Sequence, residues 1–303
     1  MKPSEDFDTV EIGPASEGGM PTAAIVASAE VKVEVAGLSH VGKVRTNNED
    51  AFIVAKADRL FQTLATNLPA DDVPRQAAEV AFGLAVADGM GGQAAGEVAS
   101  RVALSTLVRA VLETPDWIMR DSDRDVERIE KRIAERYNQA DEAVSREAEA
   151  DPRLAGMGTT MTLAISGGST LFLGHIGDSR AYLLRGMQLH RLTRDHSFAQ
   201  ALVDSGAIAP NEAKSRGVKN ILLRYLGTGR GRVATDVEHF SLASGDQVLL
   251  CTDGLTDMID DDAIAQILKM AVTAKGACKA LVDAALEAGG HDNITVVLAR
   301  YKW

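Results

Sequence analysis

The stretch AVADGMGG, residues 85–92, carries small apolar residues into Asp88 and then into Gly89, Gly91 and Gly92. Glycine lets the backbone turn tightly and leaves space beside the carboxylate, so the pattern is that of a buried strand ending in an accessible acid. Two other stretches repeat it. LFLGHIGD, residues 171–178, ends in Gly177 and Asp178, and VLLCTDG, residues 248–254, ends in Asp253 and Gly254. GGHDNITVVLA, residues 289–299, inverts the order and sets Asp292 just before an apolar run. Acids gathered at strand ends repel one another unless cations lie between them. The pattern therefore predicts a cluster of hard oxygen ligands and a metal-centred hydrolase.

The bulk properties agree with this. With 303 residues, 46% hydrophobic and 25% charged, the chain has the make-up of a soluble globular protein able to bury a core. Its net charge of −11 argues against nucleic acid as the main partner, because that affinity comes from Lys and Arg on phosphates. The two cysteines, Cys251 and Cys278, make neither a disulfide framework nor a zinc site, which points to a reducing compartment. No run reaches the length of a membrane span. The apolar patch MPTAAIVASA, residues 20–29, follows acidic residues where a signal peptide would be basic, so a cytoplasmic location is expected.

Residues 1–29 lack periodicity and are rich in Pro, Gly, Ser, Glu and Asp, as a flexible acidic tail would be. From Val31 the alternation of Val31, Val33 and Val35 with Lys32 and Glu34 marks a half-buried strand, and AFIVAKA (51–57) reads as its return. Residues 58–75 read as a surface excursion, with strand resuming at Val80. Val98, Val102, Leu107, Val108 and Val111 predict one helix. Val126, Ile129, Ile133, Tyr137, Ala140 and Val144 predict a stronger one, with charges on its opposite face. Four closely spaced strands follow between 159 and 193, the first two joined at Gly167-Gly168. Residues 195–228 lose strand character and suggest a short helix, a glycine stop and a second helix start near Pro210. Strands at VATDVEHF (233–240) and DQVLLCTD (246–253), two helices and a last strand NITVVLARY complete the chain. The economical packing of this order is an α+β fold. It is a β-sandwich of two mainly antiparallel sheets flanked by two pairs of antiparallel helices, four layers αββα, with no linker inside 31–303.

Mg²⁺ and Mn²⁺ prefer oxygen ligands, and Mg²⁺ keeps several waters, so a few carboxylates suffice; zinc would want nitrogen or sulfur. RTNNED, residues 45–50, adds Arg45, Glu49 and Asp50. A guanidinium beside a dimetal centre suits a phosphate, since its planar fork bonds two oxygens at once, although an arginine merely neutralising adjacent acids reads the same. Arg180, two residues after Asp178, reads as a structural partner of a carboxylate. His40, His175, His196 and His291 lie near these segments, and none is singled out as an acid–base catalyst.

RTNNED, VADGMGG, GTT, GDSR, CTDGL and DNIT occur in the order, and at about the spacing, of the metal-dependent Ser/Thr protein phosphatases of type 2C, the PPM family. The chain resembles the bacterial branch over 31–303. The resemblance implies two Mn²⁺ or Mg²⁺ ions bridged by Asp88, with the Gly89 carbonyl on one ion and Asp253 and Asp292 on the other. Glu49 and Asp50 would hold bound waters, Asp178 with Asp253 would hold a third, looser ion, and Arg45 would grip the substrate phosphate. It implies a catalytic domain over 31–303, a flap over about 195–228, and a bridging water attacking phosphoserine or phosphothreonine in proteins. Partners would be phosphorylated proteins, including a Ser/Thr kinase or its substrates, with no nucleic acid or membrane partner and a monomeric chain. Met90 and Gln93 stand where some relatives carry histidine, so the acid for the leaving alkoxide is unassigned, a bound water coming before His40. Two alternatives stay open: a non-catalytic phosphoprotein-binding or regulatory module of the same fold, and a metal-dependent esterase for small phosphates.

Overall fold

The computed structural model describes residues 31–65, 68–69, 72–73, 75–91, 95–113, 123–209, 212, 221–229 and 231–303. The expected tail at 1–29, the helix start near Pro210 and Gln93 lie outside the described residues.

Five strands form one antiparallel sheet in the order β1 (Lys32–His40), β11 (Ile294–Lys302), β10 (Gln247–Cys251), β7 (Arg180–Arg185), β8 (Gln188–Arg191). The other sheet runs β2 (Asp50–Gln62), β3 (Gln76–Met90), β5 (Met161–Gly167), β6 (Thr170–Ile176), β9 (Asp236–Ser241), also antiparallel, with the short β4 (Gly158–Thr159) paired to the end of β3. Helices α1 (Ala95–Glu113) and α2 (Asp123–Ala150) lie between β3 and β4 in the chain. The short α3 (Phe198–Asp204) follows β8, and α4 (Asp253–Thr256), α5 (Asp261–Met270) and α6 (Ala274–Glu287) separate β10 from β11.

Period-two alternation explains the layers. Along β10, Val248 and Leu250 pack between the sheets, while Leu249 and Cys251 face α5 and α6. Along β3, Leu84 and Val86 point between the sheets, while Ala85 and Ala87 meet α1 and α2. Strands covered on both faces read as unbroken apolar runs, which is why VLLC and LAVA lack alternation in sequence. Three apolar seams result, and the four-layer αββα expectation holds.

The α2 face is the one its sequence predicts: Ile133, Tyr137, Ala140 and Val144 are fully buried. Burying each large side chain among them contributes about 1.5–3 kcal/mol. The α1 face differs from expectation. Its buried stripe is Ala95, Ala99, Ala103, Leu104, Leu107 and Ala110, with Val98, Val102, Val108 and Val111 only half-buried. Small residues let this helix lie close on the sheet, so alanine rather than valine marks its inner face.

The excursion expected at 58–75 is also corrected. β2 continues to Gln62 and β3 begins at Gln76, with Asp58 opposite Val80 and Gln62 opposite Gln76. Since β5 pairs only with Ala81–Val86, this outer part is a two-stranded arm. Main-chain pairing holds it without a buried face, so no alternation appears in its sequence.

Antiparallel register brings the chemistry-bearing ends together. His40 ends β1 opposite Ile294 at the start of β11, and Cys251 pairs with Val296 and with Arg180. Asp50 opens β2 opposite Asp88 near the end of β3. The β6–β7 turn, which carries Asp178, crosses from one sheet to the other at this same end.

Candidate metal centre

Asp88 is held from three sides. Its N–H donates to Thr160 Oγ1 at 2.9 Å, and its carbonyl accepts from Thr160 N–H and from Thr159 Oγ1, both at 2.9 Å. Thr160 Oγ1 is in turn 2.8 Å from Ser179 Oγ, so the threonines of GTT join the Asp88 and Asp178 turns. The sequence singled out neither threonine for a role; a hydroxyl pair between two acidic turns was the available signal.

The glycines beside the acids allow close backbone approach. A Cβ on Gly89 would lie 1.9 Å from the Gly96 carbonyl oxygen at the start of α1, and a Cβ on Gly254 would lie 1.9 Å from the Asn293 carbonyl oxygen. No side chain fits at either place. The first approach seats α1 against the turn after Asp88, and the second seats the Asp253 turn against Asp292-Asn293.

Asp50 Oδ2 accepts from Thr252 Oγ1 at 2.8 Å, and Thr252 Oγ1 accepts from Thr295 N–H at 3.0 Å. Asp50 Oδ1 is buried with no hydrogen-bond partner. Such an orphan is costly unless a cation or water serves it. Glu49 donates its N–H to Asn293 Oδ1 at 2.8 Å, and its carbonyl accepts from Gly89 N–H at 3.1 Å. Arg45 Nη2 donates to Asp292 Oδ2 at 2.7 Å.

The acids act on one another electrostatically. Asp88 is pushed well above the usual carboxylate range, first by burial and then by the charges of Asp50, Asp253, Asp178 and Asp292. Asp178 is raised by burial, then by Asp253 and Asp195. Burial also raises Asp50, to about 7, helped by Asp253 and Asp292 against the hydroxyls of Thr295 and Thr252. Glu49 is raised mainly by burial, with Arg45 opposing. Asp292 and then Glu49 and Asp253 hold Arg45 more firmly protonated. Each of the six expected acids thus feels the charge of at least one other at this end of the sandwich.

These residues fit divalent ions of the Mg²⁺ or Mn²⁺ type. The donors are hard oxygens, one buried oxygen lacks a partner, and the cluster carries charge that cations would offset. Among the described residues, no three His, Cys, Asp or Glu side chains close on one point as a ready-made cage. The set is an open one, in which waters and a backbone carbonyl would complete each shell.

Comparison with known proteins decides the family. A profile described as protein phosphatase 2C matches residues 62–288. The chain belongs to the protein phosphatase 2C family. It is 39% identical over 216 residues to the serine/threonine protein phosphatase PstP of Mycobacterium tuberculosis, covering 71% of this chain and 40% of that protein. The chain thus spans well under half the length of that relative. It is 38% identical over 213 residues to the serine/threonine phosphatase stp of Listeria monocytogenes, covering 70% of this chain and 82% of the relative. The catalytic domain of PstP, solved in complex with two manganese ions, superposes with a TM-score of 0.71 at 33% identity, covering 90% of this chain and 100% of that one.

In this protein phosphatase 2C chain, Arg180, His175 and His196 are tied into the scaffold by hydrogen bonds. Arg180 donates to Asp195 through Nε at 3.1 Å and Nη2 at 2.7 Å, and Arg191 bonds the same carboxylate, as the structural reading of Arg180 requires. His175 is buried between Thr162 Oγ1 at 2.9 Å and the Arg194 carbonyl at 3.1 Å, and burial lowers it to about 3. His196 accepts from Gly177 N–H through Nδ1 at 3.1 Å and meets Asp236 through Nε2 at 2.9 Å. His40 Nδ1 accepts from Gly42 N–H at 2.9 Å. The two cysteines are free and buried.

Proposed function

We propose that the chain hydrolyses phosphoserine and phosphothreonine in proteins, using two Mn²⁺ or Mg²⁺ ions. The observation that carries this reading is the meeting of carboxylates from both sheets with Arg45 placed on one of them. Asp88, the Gly89 carbonyl, Asp253 and Asp292 would hold the pair, Glu49 and Asp50 would hold its waters, and Asp178 with Asp253 would serve a third ion. When bound, the ions supply Lewis acidity and an acidified water for attack on phosphorus.

The chain's own residues do the rest. Arg45 is half exposed and bonded to a single carboxylate oxygen at Asp292, so its fork is within reach of a phosphoryl group entering the crevice. It would share the negative charge that grows on the phosphoryl oxygens in the transition state. Thr160 anchors the Asp88 main chain and Thr252 bonds the Asp50 carboxylate, so the backbone of one acid and the side chain of the other are held in place. His40 accepts at Nδ1 from Gly42 N–H, which leaves Nε2 as the nitrogen free to face the site and makes His40 the side-chain alternative to water as proton donor for the leaving alkoxide.

The domain is read as 31–303 with a flap over about 195–228, acting as a monomer in the cytoplasm on phosphorylated proteins, a Ser/Thr kinase or its substrates among them. The two buried free thiols support that location. The non-catalytic alternative is not favoured, since all the acids and Arg45 are present. A phosphopeptide and p-nitrophenyl phosphate assay with Mn²⁺ or with EDTA tests the proposal. Mn²⁺-dependent release of phosphate, faster on the phosphopeptide than on small metabolite phosphates, is expected. Absence of metal-dependent hydrolysis on every substrate would overturn it.

A further inference from the structure

Asn293 follows Asp292 and has no chemistry of its own to offer. It is 5% exposed, and its amide is used three ways. Oδ1 accepts from Glu49 N–H at 2.8 Å, and Nδ2 donates to the carbonyls of Val41 and Asn47, each at 2.9 Å. Both amide donors are thus spent on the loop that carries Arg45, one near its start and one near its end. Lys43 N–H adds a bond to the Gly290 carbonyl at 2.7 Å, and Asn47 Nδ2 one to Glu97 at 3.2 Å. Arg45 itself projects from this loop and returns to Asp292, the residue next to Asn293.

We propose that Asn293 is the positioning residue for Arg45: its amide closes the 41–49 loop so that the guanidinium faces the phosphate site beside Asp292. An amide is the required group because two carbonyls and one N–H must be served at once. Aspartate would keep the bond from Glu49 N–H but would turn both donated bonds into repulsion between oxygens. Alanine would leave all three backbone groups without their partner. The role rests on the phosphatase reading above.

The test uses the full chain loaded with Mn²⁺ and compares wild type, Asn293→Ala, Asn293→Asp, Arg45→Ala and the double variant Asn293→Ala/Arg45→Ala. Phosphopeptide kinetics and inhibition by inorganic phosphate are measured. Calorimetric binding of Mn²⁺ and of inorganic phosphate gives a readout independent of turnover. Both Asn293 variants are expected to raise KM and the phosphate constants by about 10- to 100-fold, as a misplaced binding group does. The double variant is expected to match Arg45→Ala within about twofold, because residues acting through one contact are not additive. Mn²⁺ binding to Asn293→Ala should stay at the wild-type value. Additive losses, unchanged phosphate constants, or failure of both Asn293 variants to fold would overturn the proposal, the last because the residue is then structural. A wild-type chain without Mn²⁺-dependent hydrolysis would remove the phosphatase reading and this role together. An active wild type with additive variants would remove only this role.

Discussion

Asp50 lies directly opposite Asp88 in the antiparallel register of β2 and β3, so two carboxylates share one strand pair at the mouth of the sandwich. Burial and neighbouring carboxylate charges raise both, Asp50 from 3.8 to about 7. In the metal-free protein the native state therefore holds more protons than the unfolded chain across that interval, and stability falls as pH rises through it. The thermal midpoint in EDTA should drop between about pH 4 and about pH 7. Mn²⁺ should raise it most at the higher pH, where fewer protons compete for the carboxylates. A midpoint in EDTA that climbs over this range would contradict the assignment of the repelling pair.

Replacing Asp88 by Asn removes one of the mutually repelling charges while keeping the side chain's size. The variant should lose Mn²⁺-dependent turnover by on the order of 10³-fold or more. In EDTA at about pH 8 it should melt above the parent, since the relieved repulsion was greatest in the ionised state. Paired assays of turnover and thermal midpoint check this, and a variant that is both active and less stable would refute it.

Arg45 bonds Asp292, yet its side chain is 53% exposed, so little stability depends on it. Arg45→Ala should leave the thermal midpoint nearly unchanged. It should lower kcat/KM on phosphopeptide about 10- to 100-fold, the worth of hydrogen bonds to a charged group. A change confined to stability would assign Arg45 to the surface instead.

Gly174 in β6 lies under α2, where an added Cβ would meet Ile133 Cγ2 at 2.7 Å and Tyr137 Cε2 at 2.8 Å. Gly174→Ala should cost about 1–3 kcal/mol in denaturant unfolding, as an overpacked core does. A neutral result would mean that α2 does not rest on β6 as described.

Much of this was legible in the sequence, and for identifiable reasons. Asp88, Asp178, Asp253 and Asp292 each border an apolar run, and strand ends at one edge of a sandwich have few places to go but together. Ile133, Tyr137 and Val144 repeat at helical spacing, so α2 declared its own face. The inner face of α1 is hidden in the sequence because Ala99, Ala103 and Ala110 carry little apolar weight against Val98 and Val102, although closeness to the sheet needs the smaller side chain. The outer arm of β2 and β3 was hidden because Asp58–Gln62 pairs through the main chain alone. The work of Thr160, Thr252 and Asn293 depends on partners far away in sequence, such as Asp88, Asp50 and Glu49, and no local pattern announces such bonds.

Calorimetric titration of the EDTA-treated protein with Mn²⁺, alongside the Asp88→Asn and Asp253→Asn variants, tests whether these acids hold the ions. At least two ions should bind to the wild type, and tight binding should be lost in both variants, with phosphopeptide hydrolysis rising in step with occupancy. Equal Mn²⁺ binding by all three proteins, or hydrolysis undiminished in EDTA, would contradict that role.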